Sequence, residues 1–299
     1  MKGKPGLRPE GLIGEGLATF AHDILREGRA AIDEPDKPDA VAVHDFRKAM
    51  KRWRALLRLV ELLEQTDARH LREEARDLAR ELAPARDRQS ALDAVSDLEK
   101  SGGSLSRSSW RTIRARLETL RQEAEAGTLT EAARDRLRAA IETCDRAVDS
   151  WPLEQIEFRS LVDGLTRTYA RARGAVPLSF AECDDESLHV LRQRVVVLRY
   201  QMPLAEPLWP RFVKVWVGEA QRLRERLGAH QDLTVLAALT APHQPLAPWR
   251  ARLAPLIAAR KRTHVDAAAR LCARLFAERP KAFRRRLQSL WDGAVKTGG

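Results

Sequence analysis

Val43-His44-Asp45-Phe46-Arg47-Lys48-Ala49-Met50-Lys51-Arg52-Trp53-Arg54-Ala55-Leu56-Leu57-Arg58 decides how this chain is read. Each helical residue advances about 100°. With His44 taken as zero, Arg47, Lys48, Lys51, Arg54 and Arg58 fall within roughly 80° of it. Phe46, Met50, Trp53, Leu57 and Val60 lie on the far side. This is the period of an amphipathic helix, apolar on one face and cationic on the other. Exposed helix faces usually mix signs, because opposite charges four residues apart attract. Here Arg47 and Lys51, and again Arg54 and Arg58, are like charges at that spacing, and each pair costs about 0.2–0.5 kcal/mol. Glu61 and Glu64 come only beyond the stripe. A helix that keeps this repulsion either faces carboxylates from elsewhere in the chain or meets an external anion. The stripe runs about 21 Å from His44 to Arg58, a length that suits an extended polyanion better than a single phosphate.

The pattern returns 145 residues later, from His44 to His189. Val43-His44-Asp45-Phe46-Arg47 aligns with Leu188-His189-Val190-Leu191-Arg192, and Arg54 with Arg199. At the same offset Leu82-Ala83-Pro84-Ala85-Arg86-Asp87 aligns with Leu227-Gly228-Ala229-His230-Gln231-Asp232, and Arg26 with Arg171. Ungapped matches at one offset mark a duplicated unit. Helix formers dominate and β-branched runs are nearly absent, so the whole chain reads as all-α. Residues 12–31, 41–64, 67–100, 106–126 and 129–149 form the helices of the first half. Residues 153–173, 186–202, 209–227, 229–240, 249–277 and 280–292 form those of the second, with Trp151-Pro152 marking the boundary. The expected units are residues 12–150 and 151–292, with flexible ends at 1–11 and 293–299.

In the second copy His189, Arg192 and Arg199 keep the stripe and Tyr200 joins it. Gln193, Val196 and Val197 replace cations of the first copy, and Arg194 points about 140° away from His189. Arg167 and Arg171, four residues apart on the preceding helix, add to the positive charge. If the two copies face each other, these cations converge on one channel.

The 299 residues carry 53 Lys+Arg against 42 Asp+Glu, a net +11, and an apolar content of 44% excludes a disordered chain. No stretch approaches the ~20 apolar residues of a membrane span. The start shows no secretory pattern, and three scattered cysteines make neither a CxxC pair nor a disulfide framework. A cytoplasmic location is expected. A charge of this size serves solubility, or it meets nucleic acid, polyphosphate or a membrane surface; its concentration on one helix face favours a polyanion. A single-strand nucleic-acid binder wants aromatics among its cations, and Tyr200 is the one good candidate. No DNA-reading motif, P-loop or GxGxxG is present. Chemistry on phosphate chains generally wants carboxylate-bound metal, and no acidic cluster faces the stripe. The reading is therefore a binding protein without cofactor or catalytic residues, with a nucleic-acid binder as its alternative. His44 and His189 serve as phosphate contacts or as neutral histidines bonded near helix starts; metal binding lacks an HxxxH or HExxH pair. Asp87 and Asp232 are expected to orient arginines.

Leu188 through Tyr200, Pro207-Leu208-Trp209-Pro210, Leu227 through Leu233, and Val43 through Arg54 together resemble the CHAD domain, the conserved histidine α-helical domain. Leu275-Phe276-Ala277-Glu278-Arg279-Pro280 is similar to the family's tail, so the resemblance spans about residues 12–292. It implies two antiparallel four-helix-type bundles related by pseudo-twofold symmetry, with a basic groove or pore between them. It implies binding of inorganic polyphosphate and association with polyphosphate granules. A stand-alone member is expected, since no ExExK pattern of a fused triphosphatase domain opens the chain. The ligand residues it implies are His44, Arg47, Lys48, Lys51, Arg54, His189, Arg192 and Arg199. Helix geometry and the repeat add Arg58, Arg26, Arg167 and Arg171.

Overall fold

The structure, a computed structural model, describes residues 6–7, 11–61, 67–82, 86–125 and 129–298. The described residues form eleven α-helices and three short 3-10 turns, with no strand. The helices are α1 (Ile13–Asp33), α2 (Asp39–Val60), α3 (Ala68–Glu81), α4 (Arg86–Lys100), α5 (Arg107–Glu125) and α6 (Glu131–Asp149). There follow α7 (Phe158–Gly174), α8 (Asp185–Gln201), α9 (Pro210–Leu239), α10 (Arg250–Leu275) and α11 (Pro280–Gly298). Starts follow familiar rules. Thr130 Oγ1 accepts from Ala133 N at the head of α6, Asp184 Oδ1 accepts from Ser187 N at 2.7 Å at the head of α8, and Pro210 opens α9.

Three boundaries differ from expectation. The pattern over 67–100 divides into α3 and α4, whereas the expected helices 209–227 and 229–240 are one helix of 30 residues. Pro84 falls in the interval between α3 and α4, outside the described residues, and a proline lacks the N–H that a continuing helix needs. The repeat places Ala229 at the matching position of the second copy, so α9 runs on through Gly228. The last helix continues past Asp292 to Gly298 in place of a frayed tail.

The order of elements repeats: α1, α2, α3 with α4, α5 and α6 correspond to α7, α8, α9, α10 and α11. Neighbours repeat as well. α1 packs on α2 and α6 as α7 packs on α8 and α11, and α4 packs on α5 as α9 packs on α10. The apolar core does not divide at residue 151. A large core joins side chains of α1, α2, α3 and α6 with those of α7, α8, the first half of α9, the end of α10 and α11. A smaller one joins α4 and α5 with the second half of α9 and the start of α10. Trp151 itself is buried and stacks on Trp53, their rings 6.0 Å apart. Across the repeat, α2 and α8 pack together, and buried Gln201 Nε2 donates to Ala55 O at 2.7 Å.

The start of the chain is anchored too. Leu7 is fully buried and its N–H donates to Leu204 O at 2.9 Å, which corrects the expectation of a flexible 1–11 at this residue. Nearby, Gly14 lies so close to the 3-10 turn between α6 and α7 (Leu153–Gln155) that a Cβ would stand 2.1 Å from Leu153 O. Gly14→Ala is therefore expected to destabilise the protein by about 1–3 kcal/mol through overpacking. Gly218→Ala, in open space on the exposed side of α9, is expected to stabilise by about 0.5–1 kcal/mol through helix propensity. Urea denaturation midpoints of the two variants check both signs.

Candidate polyanion-binding site

α2 takes its orientation from its apolar face. Phe46, Met50, Trp53, Leu57 and Val60 are each 2% exposed or less. The cationic face is thereby turned outward at its start and partly covered at its end. His44 and Lys48 are exposed, whereas Arg47, Lys51, Arg54 and Arg58 are half-buried. The cover comes from α3. Arg47 donates to Ala79 O at 2.8 Å, tying the two helices together.

α3 brings further cations. Burial pushes the Arg54 guanidinium below its ordinary range, and Arg72, Arg76 and Arg80 push it further, with Asp77 opposing. Arg58 is lowered first by burial, then by Arg72, Arg54 and Arg194, with Glu61 opposing. An arginine does not give up its proton at such sites, so both stay charged while burial first, and neighbouring guanidinium groups second, act against that charge. Some neutralisation is present, since Arg72 bonds Glu61 at 3.2 Å and Arg76 bonds Asp77 at 2.9 Å. Among the described residues, however, no carboxylate lies within 4.0 Å of the Arg54, Arg58 or Arg194 guanidinium. The Nε atoms of Arg54 and Arg72 are buried and have no hydrogen-bond partner among the described residues.

The second copy contributes a smaller group. Burial lowers Arg199, and Arg224 and Arg52 act in the same direction against Tyr200. Its guanidinium lies over the Tyr200 ring, 4.1 Å from the centroid. Arg192 runs along Gly228, where an added Cβ would meet its Nε at an ordinary contact distance of 3.6 Å. His189 is half-buried, and its buried Nδ1 has no hydrogen-bond partner among the described residues.

Not every expected residue joins these groups. Arg167 and Arg171 are exposed on α7, and Arg26 is exposed on α1, where Asp23 holds it. None of the three is among the charges that act most strongly on Arg54, Arg58 or Arg199. Arg194 is the opposite case. Its angle away from His189 set it apart from the stripe, yet it acts on Arg58 of the first copy. Arg72, Arg76 and Arg80, spaced four apart on α3, were legible as a basic row, but their approach to α2 was not.

A model of the CHAD domain matches residues 18–241. The chain belongs to the CHAD domain family. The matched span holds all the residues described above, from Arg26 to Gly228, and α10 and α11 lie beyond it. No curated protein matches the chain. Among the described residues, no helix is long and apolar enough to cross a membrane, and no group of three or more His, Cys, Asp or Glu is arranged to hold a metal ion.

The CHAD span meets α10 in a polar network. Asp185, at the head of α8, accepts from Lys261 Nζ at 2.7 and 2.8 Å and from Thr234 Oγ1 at 2.9 Å. Asp97 accepts from Arg260 at 2.6 and 2.8 Å, and its Oδ2 lies 2.8 Å from His264 Nε2. Burial works to raise both carboxyls, but these bonds outweigh it and hold them below the usual range. His230 sits among these groups, 4% exposed and 3.5 Å from Asp185. Half-buried Asp232, expected to orient an arginine, lies two residues further on. The side chain of Asp87 lies outside the described residues.

Burial and the Lys261 ammonium push His230 down from 6.5 to about 4. The unfolded chain therefore takes up this proton first as pH falls. The stability that neutral His230 contributes is present above 6.5 and is lost between pH 6.5 and about 4. Denaturant unfolding measured across that window is expected to show the decline, and His230→Gln to flatten it.

Proposed function

We propose that this CHAD protein binds inorganic polyphosphate without turning it over. The observation that carries the reading is the gathering of Arg54, Arg58, Arg72 and Arg194 from three helices, with burial and neighbouring guanidinium groups acting against the charges of Arg54 and Arg58 and no carboxylate among the described residues paired with those two. A phosphate chain offers what this group lacks. It has a negative charge on every unit and oxygens that a guanidinium engages two at a time. It also has no bases, so it asks for no aromatic platform; the Tyr200 ring is already covered by Arg199. Family membership supports the same reading, since the CHAD domain is associated with polyphosphate. In this proposal the two related halves meet where α2 packs on α8, and a basic groove runs along that junction, flanked by α2 and α3 on one side and α8 on the other. Arg192, Arg199 and His189 extend the groove, and His44 and Lys48 form its open end. Cytoplasmic residence and recruitment to polyphosphate granules follow as parts of the proposal. No residue is assigned a catalytic role.

Each shielded charge-assisted bond contributes about 1.5–3 kcal/mol, and counterion release makes the sum salt-dependent. Isothermal titration with long-chain polyphosphate is expected to show binding that weakens as salt rises. Arg54→Gln/Arg58→Gln is expected to lose at least about tenfold in affinity and to give a shallower salt slope, while far-UV circular dichroism stays unchanged. A folded wild-type protein that does not bind at moderate salt rejects the reading. Displacement of polyphosphate by duplex DNA or RNA at equal phosphate concentration would favour a nucleic-acid binder instead.

A further inference from the structure

We infer that Arg194, which belongs to the second half of the chain, is a ligand-binding residue of the site built on α2 and α3. There it supplies the positive charge that the second copy lacks at Gln193, Val196 and Val197. The inference rests on the polyphosphate reading and adds to it a residue that lies off the repeated stripe.

The repeat shows how unusual this position is. At the offset of 145, Arg194 corresponds to Ala49, which is 2% exposed and packed in the core. The first copy thus puts a small apolar side chain where the second puts an arginine. Helix phase explains where that arginine goes. Gln201 lies seven residues further along α8, two turns on and only about 20° around the helix. Gln201 is the residue that bonds Ala55 O of α2. Arg194 therefore leaves α8 on the side that abuts α2, roughly 10 Å from that bond. Arg58 lies three residues beyond Ala55, and Arg194 is among the charges that act on it. Arg194 is half-buried, and no carboxylate among the described residues pairs with it.

A half-buried arginine whose charge acts on another arginine across a helix packing surface adds repulsion to the empty protein. Packing alone is served by alanine, as the first copy demonstrates. The arrangement gains when an anion lies between the two guanidinium groups, because each then has oxygens to engage. In that state the phosphate chain also bridges the two halves, with α2 on one side and α8 on the other. The exposed cations elsewhere, such as Arg252 on α10, carry no such tension because water screens them.

The test uses the full chain and three variants, Arg194→Ala, Arg194→Lys and Arg252→Ala, the last as a control for lost net charge. Two quantities are measured for each: long-chain polyphosphate affinity by titration calorimetry at several salt concentrations, and the thermal midpoint without ligand. Arg194→Ala is expected to bind about tenfold more weakly, with a log–log salt slope shallower by about 0.7, and to melt at or above the wild-type temperature. Arg194→Lys is expected to retain most of the affinity, and Arg252→Ala to bind within about twofold of wild type. Binding by Arg194→Ala no weaker than that of Arg252→Ala overturns the inference while leaving the polyphosphate reading in place. A lower thermal midpoint for ligand-free Arg194→Ala also overturns it, since the residue would then be structural. Failure of the wild type to bind removes the polyphosphate reading and the ligand role of Arg194 together.

Discussion

Burial of arginines beside one another is the constraint on which the face of α2 depends. Arg54 and Arg58 cannot relax into water, because the helix that carries them is fixed from behind by Phe46, Trp53 and Leu57. They are not neutralised from in front, because α3 brings them more arginine than carboxylate. Apolar packing on one side of α2 thus maintains an unfavourable charge distribution on the other. It is borne by a large core that draws on both halves of the chain.

Much of this was legible in the sequence. The stripe on α2 follows from a 3.6-residue period over sixteen consecutive residues, and periodicity of that length is the strongest signal a single sequence holds. The duplication was legible because two separate motifs kept one offset, and it recurs as a repeated order of helices and neighbours. The division between α3 and α4 was missed because residues 67–100 keep helical composition through Pro84. The continuity of α9 was missed because Gly228 reads as a stop, although Ala229 after it is a good helix former.

The site was less legible than the fold, for a reason visible in Arg194. A helical wheel orders the side chains of one helix relative to each other; it carries no information on which helix lies opposite. Arg194 lies off the stripe of the second copy when His189 is the reference. With α8 docked on α2 through Gln201 and Ala55, the Arg194 charge acts on Arg58. Arg26, Arg167 and Arg171 illustrate the converse. Correct charge and correct spacing left them on exposed surfaces, apart from the arginines under most stress. The polar network of Asp97, Asp185, His230 and Lys261 has the same origin, since its members come from four helices and only tertiary packing assembles them.

The length of α9 has a consequence for the whole molecule. Its first half lies in the large core through Val213, Trp216 and Leu223, and its second half in the small one through Leu233 and Leu236. Thirty residues make a rod of about 45 Å, stiff on the scale of the domain. The α4–α5 hairpin that closes the small core is thus mounted on the same beam as the bundle that carries the arginines. Side chains of one continuous helix thus take part in both cores.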